Sequence, residues 1–391
     1  MQPLLFCCCG VDVHDKMIEA CILKGLTDEP ELIRKQFSTL PHELKNFAQW
    51  LTDNECYHIA MESTGVYWRP IYEAIEDHSQ YFEHIVVTNA NHMKNLPGRK
   101  SDADDAEWIA TLLRHGLLSS SFVPARIFRD MREASRLYKK FVAERCRYVN
   151  RIEKFLQAHG FKLSHVLSDI LCVSGRNILS ILAQRGSLSA ADVAECLRGR
   201  TKHSPEEIHS AISGSLNDHE RKLLSILLDR IDNAQTDVNV ALDFIAEMAL
   251  PYQKEREQLD SIPGIDTTVA LLILAEISNT PHLNFDSAEK LCSWAGLSPR
   301  NDESAGKVKS RKIMPGNPYI KSILCQSAWA AVSNRKNPFG QWFWSHQGKL
   351  GKKKAIIAVS RKILTVAYVL LRDGTFYDSD IHNGNLHKAI G

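Results

Sequence analysis

The chain has 391 residues, of which 44% are hydrophobic and 24% are charged, the composition of an ordinary soluble globular protein. This length predicts two or three domains rather than one core. No run of about 18 apolar residues occurs, so we expect no membrane span, and the apolar first nine residues suit a buried strand better than a signal peptide. The ten cysteines form no Cys-x-x-Cys pair, which favours free thiols in a reducing cytoplasm over disulfides or a zinc cluster.

The formal net charge of +2 hides two strongly basic segments. Residues 300–362 contain 14 Lys or Arg against two acidic residues, and residues 126–154 contain 10 against four. Basic segments of this size on a near-neutral chain indicate a polyanionic partner, most simply nucleic acid. A solvated basic face is the alternative explanation for either segment alone.

The first 88 residues predict a mixed α/β sheet with helices on its faces. The opening indicates a three-stranded antiparallel meander, and alternating helices and strands follow it. We expect strands at residues 4–13, 16–23, 31–37, 57–61 and 84–87, and helices at residues 41–51 and 66–75.

Four acidic residues follow these strands or begin a helix. Asp12 lies near the end of the first strand, Glu62 follows the fourth, and Asp102 and Asp105 begin a helix after the fifth. Ligands of open α/β sheets gather at the carboxyl ends of strands, so these acids could converge and hold a pair of Mg²⁺ ions. Such a pair activates a nucleophile and stabilises the leaving oxygen in phosphoryl transfer. The alternative is a capped acidic helix start, because Ser101 and Asp104 have capping-box spacing.

Two long heptad patterns follow, in residues 127–155 and in residues 224–248, and the second ends at Pro251. The two helices could pair as an antiparallel arm, associate between subunits, or be buried helices of a plain bundle. Residues 161–217, between them, predict at least two short helices and no identifiable chemistry.

The final third contains two candidate phosphate-handling features. Pro263-Gly264 precedes a predicted helix at residues 267–277, and such turns grip phosphates with backbone N–H groups or merely end helices. Ser304 lies in a small-residue loop beside Gly306 and Lys307, at the start of the basic segment. An exposed serine near cations and a metal is a candidate nucleophile, although loop serines also cap helices.

Seven motifs, taken together and in this order, resemble those of the DEDD-type insertion-sequence transposases, relatives of the Piv DNA invertase. They are Gly10-Val11-Asp12, Met61-Glu62-Ser63-Thr64-Gly65, Lys100-Ser101-Asp102-Ala103-Asp104-Asp105-Ala106, Ser261-Ile262-Pro263-Gly264-Ile265, Trp294-Ala295-Gly296-Leu297-Ser298-Pro299, Ser304-Ala305-Gly306-Lys307 and Pro315-Gly316-Asn317. The resemblance covers residues 5–370, almost the whole chain, and is highly specific.

The resemblance implies a RuvC-like domain of RNase H fold, a helical coiled-coil connector and a helical transposase domain. In this family the acidic residues hold Mg²⁺ and the serine is the nucleophile; the matching positions here are Asp12, Glu62, Asp102, Asp105 and Ser304. We therefore expect the RuvC-like catalytic domain at residues 1–125, the connector at 126–250, the transposase domain at 251–375 and a loose tail at 376–391.

The resemblance also implies a recombinase guided by a bridge RNA that pairs with double-stranded donor and target DNA. Ser304 would attack a phosphodiester and hold the strand as a phosphoserine, within a homodimer or a homotetramer of two dimers. We expect the protein in the prokaryotic cytoplasm, associated with the nucleoid and not with a membrane. The basic residues expected to contact nucleic acid are Lys307, Lys309, Arg311, Lys312, Lys352, Lys353 and Lys354.

Two departures and three alternatives accompany this interpretation. Asp266 stands where such hairpin motifs often have a second glycine, and residues 161–217 are longer than in compact members of the family. One alternative is a RuvC-like nuclease or junction resolvase in which water attacks, and another is a non-catalytic nucleic-acid scaffold. An actin-like ATPase shares the Gly-Val-Asp strand, but it needs glycine-rich phosphate loops, which the sequence lacks.

Overall fold

A computed structural model describes residues 3–26, 28–78, 80–89, 105–299 and 313–379, together with the backbone of residues 302–304 and 307–310. The chain divides into two compact units between Val123 and Pro124. The first unit contains a five-stranded sheet with helices, and the second is mostly helical. The predicted connector and transposase domain both lie in the second unit, and their limit at residue 250 remains a prediction.

The sheet of the first unit has the strand order β3-β2-β1-β4-β5. The first three strands are antiparallel, as the meander predicted, and β1, β4 and β5 run parallel. The mixed α/β prediction is therefore confirmed. The strands are β1 (Cys7–Val13), β2 (Met17–Lys24), β3 (Glu31–Ser38), β4 (His58–Glu62) and β5 (His84–Thr88).

Helices cover both faces of this sheet, because side chains in each strand alternate between two apolar clusters. The odd-numbered residues of β1 from Cys7 to Val13 pack against α1 (Pro41–Asp53) and α2 (Trp68–Glu76). Cys8 points to the other face and packs against α3 (Asp105–Arg114). Among the described residues, α3 is therefore the one helix that packs against this face of the sheet.

In the second unit, α4 (Arg126–Ala158) and α9 (Asp218–Met248) pair antiparallel within one chain. The end of α4 meets the start of α9, where His159 Nε2 lies 3.3 Å from Glu220 Oε1. The start of α4 meets the residues after α9, where the ring centroids of Phe128 and Tyr252 are 4.8 Å apart. Of the three arrangements that the heptads allowed, the structure shows the pairing in cis.

Residues 161–217 form four short helices, in agreement with the prediction of at least two. They are α5 (Leu163–Val166), α6 (Val173–Arg185), α7 (Ala190–Cys196) and α8 (Pro205–Ala211). Capping boxes begin α7, α8 and α9, which explains the serines and asparagine that punctuate this stretch. The four helices share one apolar cluster with the adjoining ends of α4 and α9.

The rest of the second unit is a helical core that carries one small hairpin. Its helices are a short 3₁₀ turn (Leu250–Tyr252), α10 (Gln253–Asp260), α11 (Thr267–Ile277), α12 (Pro281–Asn284), α13 (Ala288–Trp294), α14 (Pro318–Ser333), α15 (Pro338–Leu350) and α16 (Lys352–Asp373). The hairpin consists of β6 (Asp302–Ser304) and β7 (Lys307–Ser310). Every residue of α11 from Ala270 to Ile277 is buried, so this helix is the centre of the core.

The predicted loose tail starts with an ordered contact. The ring of Tyr377 stacks on that of Phe339 at 6.0 Å between centroids, and its backbone N–H donates to Ser261 Oγ at 3.0 Å. Burial raises the pKa of Tyr377 to about 12. The looseness predicted for residues 380–391 concerns positions outside the described residues.

All ten cysteines are free thiols, as the absence of Cys-x-x-Cys pairs predicted. Seven are buried, and Cys146 on α4 is exposed. Burial raises the pKa of Cys8 to about 12, so this thiol is protonated and unreactive at neutral pH. None of the helices in the described ranges has the length and apolar character needed to cross a membrane.

Candidate active site

A row of polar side chains crosses the sheet on the face that α3 covers. Val11 pairs with Met61, so the next residues along the parallel strands β1 and β4, Asp12 and Glu62, follow at the same level. Strand pairing adds one residue to each end of this row. Asp12 lies opposite Glu19 on β2, and Glu62 lies beside Thr88 on β5. The alternation of β-strands turns all four of these side chains toward one face.

The two predicted acids of this row are partly buried and hold local polar contacts. Asp12 has 17% of its side chain exposed, and its Oδ2 lies 3.0 Å from His14 Nε2. Glu62 Oε1 accepts a hydrogen bond of 3.3 Å from Thr64 Oγ1. The neighbouring Glu19 accepts a hydrogen bond of 2.8 Å from Gln36 Nε2.

A glycine brings Asp105 to the same face. Gly10 lies on β1 directly under α3, and a Cβ atom there would overlap the backbone of Ala106 and Ala110. The helix can lie this close to the strand only because residue 10 has no side chain. Asp105 is the first described residue of α3 and precedes Ala106, so it lies at the end of the helix that packs over β1.

Three of the four predicted acids, Asp12, Glu62 and Asp105, are therefore on one side of the sheet. Ser101 and Asp102 lie outside the described residues, so neither the predicted cap nor the fourth ligand is placed. The sequence analysis missed Glu19 and Thr88, because their position in the row depends on strand register. A polar residue at the end of a buried strand was the signal available for Thr88.

The donor set of this row suits a hard divalent cation, which takes carboxylate and other oxygen ligands. The hydroxyl of Thr88 is fully buried and has no hydrogen-bond partner among the described residues, so an unused oxygen lies in the same row. Within those residues, no group of three His, Cys, Asp or Glu side chains is arranged to hold a metal ion. The chemistry of the row therefore fits Mg²⁺, while the described part of the chain does not by itself complete a site.

The predicted nucleophile lies on a hairpin rather than in a loop. Ser304 is the last residue of β6, and its backbone pairs with that of Lys307, the first residue of β7. The loop prediction for Ser304 is therefore wrong at the level of the backbone, because residues 302–304 pair with residues 307–310. Lys309 lies on β7, and Arg311 and Lys312 lie outside the described residues.

The base of this hairpin is clamped by close backbone packing. Pro299 and Ile313 form a bridge below the strands, and the N–H of Asn317 donates to the carbonyl of Trp294 at 3.1 Å. A Cβ atom on Gly316 would overlap the backbone of Gly296, so both glycines are required by this contact. The two motifs that flank the hairpin in sequence thus hold its two ends together.

A buried carboxylate supports the same base. Glu276, at the end of α11, has no exposed surface. Its carboxylate accepts hydrogen bonds of 3.1 and 3.2 Å from Arg136 and one of 2.6 Å from Asn317 Nδ2. Arg132 Nε lies 3.3 Å from Glu276 Oε2, and burial lowers the pKa of this arginine to about 10. The other side-chain atom of Asn317, Oδ1, caps α14 by accepting from the N–H groups of Tyr319 and Ile320.

Sequence analysis did not single out Glu276, although a signal was present. It is the one charged residue in the apolar run Val269–Ile277. A charge inside an apolar helix is buried at high cost unless it is paired, so such a residue usually has a specific partner.

The Pro263-Gly264 turn has a packing role. Gly264 has a φ of +89°, and a Cβ atom there would overlap the backbone of α14 at Ser327 and Ala331. Asp266, in place of a second glycine, is the N-cap of α11 and accepts from the N–H of Val269 at 2.8 Å. Packing and capping therefore account for this motif without a bound phosphate.

Three consecutive lysines, Lys352, Lys353 and Lys354, form the exposed first turn of α16. Cations at a helix N-terminus oppose the helix dipole, so this placement costs stability in the free protein. An anion bound near these residues would relieve that cost. Their position is consistent with the predicted contact to phosphates.

Comparison with known proteins places the chain in a class of DNA-rearranging enzymes. Residues 9–160 match the IS110-type DEDD family model, described as a transposase, and residues 256–343 match the transposase family IS116/IS110/IS902. The chain is thus a DNA transposase or recombinase. Both models describe IS110 transposases and match residues in both units, and the chain is an IS110-family transposase.

Individual relatives agree with this assignment. The insertion element IS110 43.6 kDa protein of Streptomyces coelicolor is 25% identical over 309 residues, which are 74% of this chain and 75% of that protein. The pilin gene-inverting protein of Moraxella bovis is 33% identical over 128 residues, which are 32% of this chain and 39% of that protein. A transposase-like protein of Sinorhizobium fredii is 23% identical over 269 residues, 66% of this chain and 61% of that protein.

Proposed function

We propose that the protein catalyses RNA-guided, Mg²⁺-dependent cleavage and exchange of DNA strands through a phosphoserine intermediate on Ser304, and so moves an insertion sequence. The observation that carries the proposal is the row on the sheet, where Asp12 and Glu62 lie at one level and α3 brings Asp105 to the same face. Three antiparallel strands followed by two parallel ones support assigning a RuvC-like RNase H fold to this unit.

In this proposal the acidic residues Asp12, Glu62, Asp102 and Asp105 hold two Mg²⁺ ions. The bound ions supply charge stabilisation to the attacking and leaving oxygens of phosphoryl transfer. The contribution of the chain is to fix carboxylates on rigid strands and on a helix that cannot shift, because Gly10 is in backbone contact with it.

Ser304 conserves the energy of the phosphodiester. Its Oγ forms a bond to phosphorus as a backbone P–O bond breaks, the serine proton is released, and the leaving DNA oxygen takes up a proton. Attack by a hydroxyl of the new strand reverses these bond changes and frees the serine, so rejoining needs no ATP. The flanking Lys307 would neutralise charge on the phosphate.

The partners that we propose are double-stranded donor and target DNA and a structured guide RNA. The nucleic-acid contacts would come from the basic residues Lys307, Lys309, Arg311, Lys312, Lys352, Lys353 and Lys354. We further propose a homodimer or homotetramer, which the exposed apolar side chains on α9 support: Leu223, Ile226, Val240 and Phe244 are 40–62% exposed. The site of action would be the nucleoid in the prokaryotic cytoplasm.

Strand exchange between donor and target plasmids, with the RNA that copurifies with the protein, tests the acidic site. Asp12→Asn, Glu62→Gln and Asp105→Asn should each lower the rate by a factor on the order of 100 or more, with unchanged circular dichroism. Glu19→Gln is the matched control, because Glu19 lies beside Asp12 in the row but is not a proposed ligand. Full activity of both Asp12→Asn and Glu62→Gln would overturn the assignment. Cleavage without rejoining in the wild type would indicate the water-dependent nuclease instead.

A further inference from the structure

A cluster of aromatic side chains with one arginine, the aromatic tier, lies on the surface of the second unit between α14 and α15. It consists of Trp329, Phe343, Trp344 and Arg335. The ring of Phe343 lies between the two tryptophans, 5.9 Å from that of Trp329 and 5.5 Å from that of Trp344 between centroids. The guanidinium of Arg335 lies 3.9 Å from the centroid of Trp344, on the face of the ring.

The rings of the tier are held in place. Phe343 is 1% exposed and anchors both tryptophans by edge contacts. Trp344 Nε1 donates to the carbonyl of Val332 at 3.0 Å, so its indole cannot rotate freely. A fixed aromatic surface loses little conformational freedom when a ligand binds to it.

The two tryptophan rings of the tier are open to solvent. Trp329 is 50% exposed and Trp344 is 40% exposed, although tryptophan buries more apolar area than most residues when it is covered. Exposed, fixed tryptophans beside arginine are typical of binding surfaces. We therefore expect a binding partner to cover these two rings.

The charge of the sequence around the tier indicates the chemical class of this partner. From Ser304 to Arg372 the sequence contains 14 Lys or Arg and no Asp or Glu. A two-fold contact between copies through the tier would bring Arg335 against its own copy, and like charges across an interface are unfavourable. The partner should offer aromatic groups to the tryptophan rings and negative charges to the basic residues of this segment. Single-stranded nucleic acid offers both, in its unpaired bases and its phosphates.

We propose that Trp329, Trp344 and Arg335 form a stacking surface for unpaired nucleobases of a single-stranded segment. The inference rests on the proposed function, which supplies a nucleic-acid partner, and it adds a second kind of contact to the phosphate contacts of the lysines. Bases stack on the exposed tryptophan rings and on the guanidinium plane, while Lys and Arg side chains of the basic segment neutralise the backbone.

Binding to labelled oligouridine RNA, to oligothymidine DNA of the same length and to duplex DNA tests the proposal. Trp329→Ala and Trp344→Ala should each weaken binding to a single strand about 10-fold, with little effect on duplex. Tyr81→Ala is the matched control, because Tyr81 is an exposed aromatic residue of the first unit, outside the tier and without a proposed role. Trp329→Phe should recover much of the affinity, since it restores an aromatic face.

Salt dependence separates stacking from phosphate contact. The tryptophan variants should lower affinity at every salt concentration without changing the slope of log K against log salt, because stacking releases no counterions. A larger loss with oligouridine than with oligothymidine assigns the surface to RNA, and the reverse assigns it to displaced DNA.

Three results would overturn the proposal. One is unchanged single-strand affinity in both Trp329→Ala and Trp344→Ala, and another is an equal loss for duplex and single strand. The third is a change of oligomeric state on sedimentation of Trp329→Ala, which would make the tier a protein interface. Binding is measured without strand exchange, so failure of the Ser304 chemistry would leave these outcomes readable, and failure of stacking would leave the chemistry untouched.

Discussion

At the scale of single residues, Glu276 is a carboxylate with no exposed surface, held by two arginines and an asparagine. Removing one partner of a buried ion pair leaves the other charge uncompensated. We expect Glu276→Gln to lower the free energy of unfolding by about 3 kcal/mol. Thermal or urea denaturation of the two proteins measures this difference.

The control for Glu276 is an exposed ion pair in the same unit. Asp373 pairs with Arg372 at the end of α16, and both side chains are more than 40% exposed. Exposed pairs contribute about 0–1 kcal/mol, so Asp373→Asn should change stability little. Equal effects of the two substitutions would mean that the Glu276 network does not support the base of the hairpin.

Several site residues could be predicted from their place in the sequence, and others could not. Asp12 and Glu62 end apolar stretches that are recognisable as strands, so their approximate place at the sheet edge follows from pattern alone. Their common level, and the presence of Glu19 and Thr88 in the same row, depend on strand register, which pairing determines and local sequence does not. The link from Glu276 to Asn317 joins residues 41 apart and needs the tertiary fold.

At the scale of elements, the contact between β1 and α3 is the closest approach in the proposed acidic site. Gly10→Ala would place a methyl group against the backbone of α3 and force the helix away. Overpacking of this kind costs about 1–3 kcal/mol. Because α3 carries Asp105, we expect strand exchange to fall as well. Denaturation and plasmid recombination measure the two effects.

Gly348→Ala is the matched control for this element. Gly348 lies within α15, and no atom lies within 4 Å of the position that a Cβ would take. Alanine is a better helix former than glycine by about 1 kcal/mol, so this substitution should leave stability unchanged or raise it. A Gly10→Ala protein as stable and active as Gly348→Ala would contradict the close packing of α3 on β1.

The long helices were predictable as elements, but their pairing was not. Heptad spacing in α9 anticipated its buried side, with Leu224, Ile231 and Val238 among the buried residues. Spacing alone left three arrangements open, because the a and d positions of a coiled coil and of a bundle are alike. The end contacts of Glu220 and Tyr252 show the antiparallel pairing within one chain, and such contacts between distant residues depend on the tertiary fold.

At the scale of the whole molecule, charge is concentrated in the C-terminal third. Reversal of charge at Lys352, Lys353 and Lys354 should weaken nucleic-acid binding and reduce the slope of log K against log salt by about two to three, since each phosphate contact releases counterions. Sequence choice set by the guide should not change, because phosphate contacts carry no sequence information. Binding assays at several salt concentrations measure the slope.

Lys222→Glu, at an exposed position of α9, is the control for this charge reversal. It should change the slope by less than the triple substitution, because it lies outside the basic segment. A slope in the triple variant equal to that of the wild type would mean that these lysines face solvent in the complex.

The central claim is that Ser304 forms a covalent bond to DNA, and mapping that bond is its most direct test. Wild-type protein is incubated with copurified RNA, Mg²⁺ and a suicide DNA substrate that traps the cleaved strand, then denatured and digested for mass spectrometry. We predict a peptide that carries a nucleotide on Ser304, and neither adduct nor recombinant product from Ser304→Ala, which still binds RNA and DNA. An adduct on Ser298 or Ser310 would keep the mechanism and move the nucleophile. Cleavage by Ser304→Ala at the wild-type rate, with no adduct in either protein, would contradict the claim.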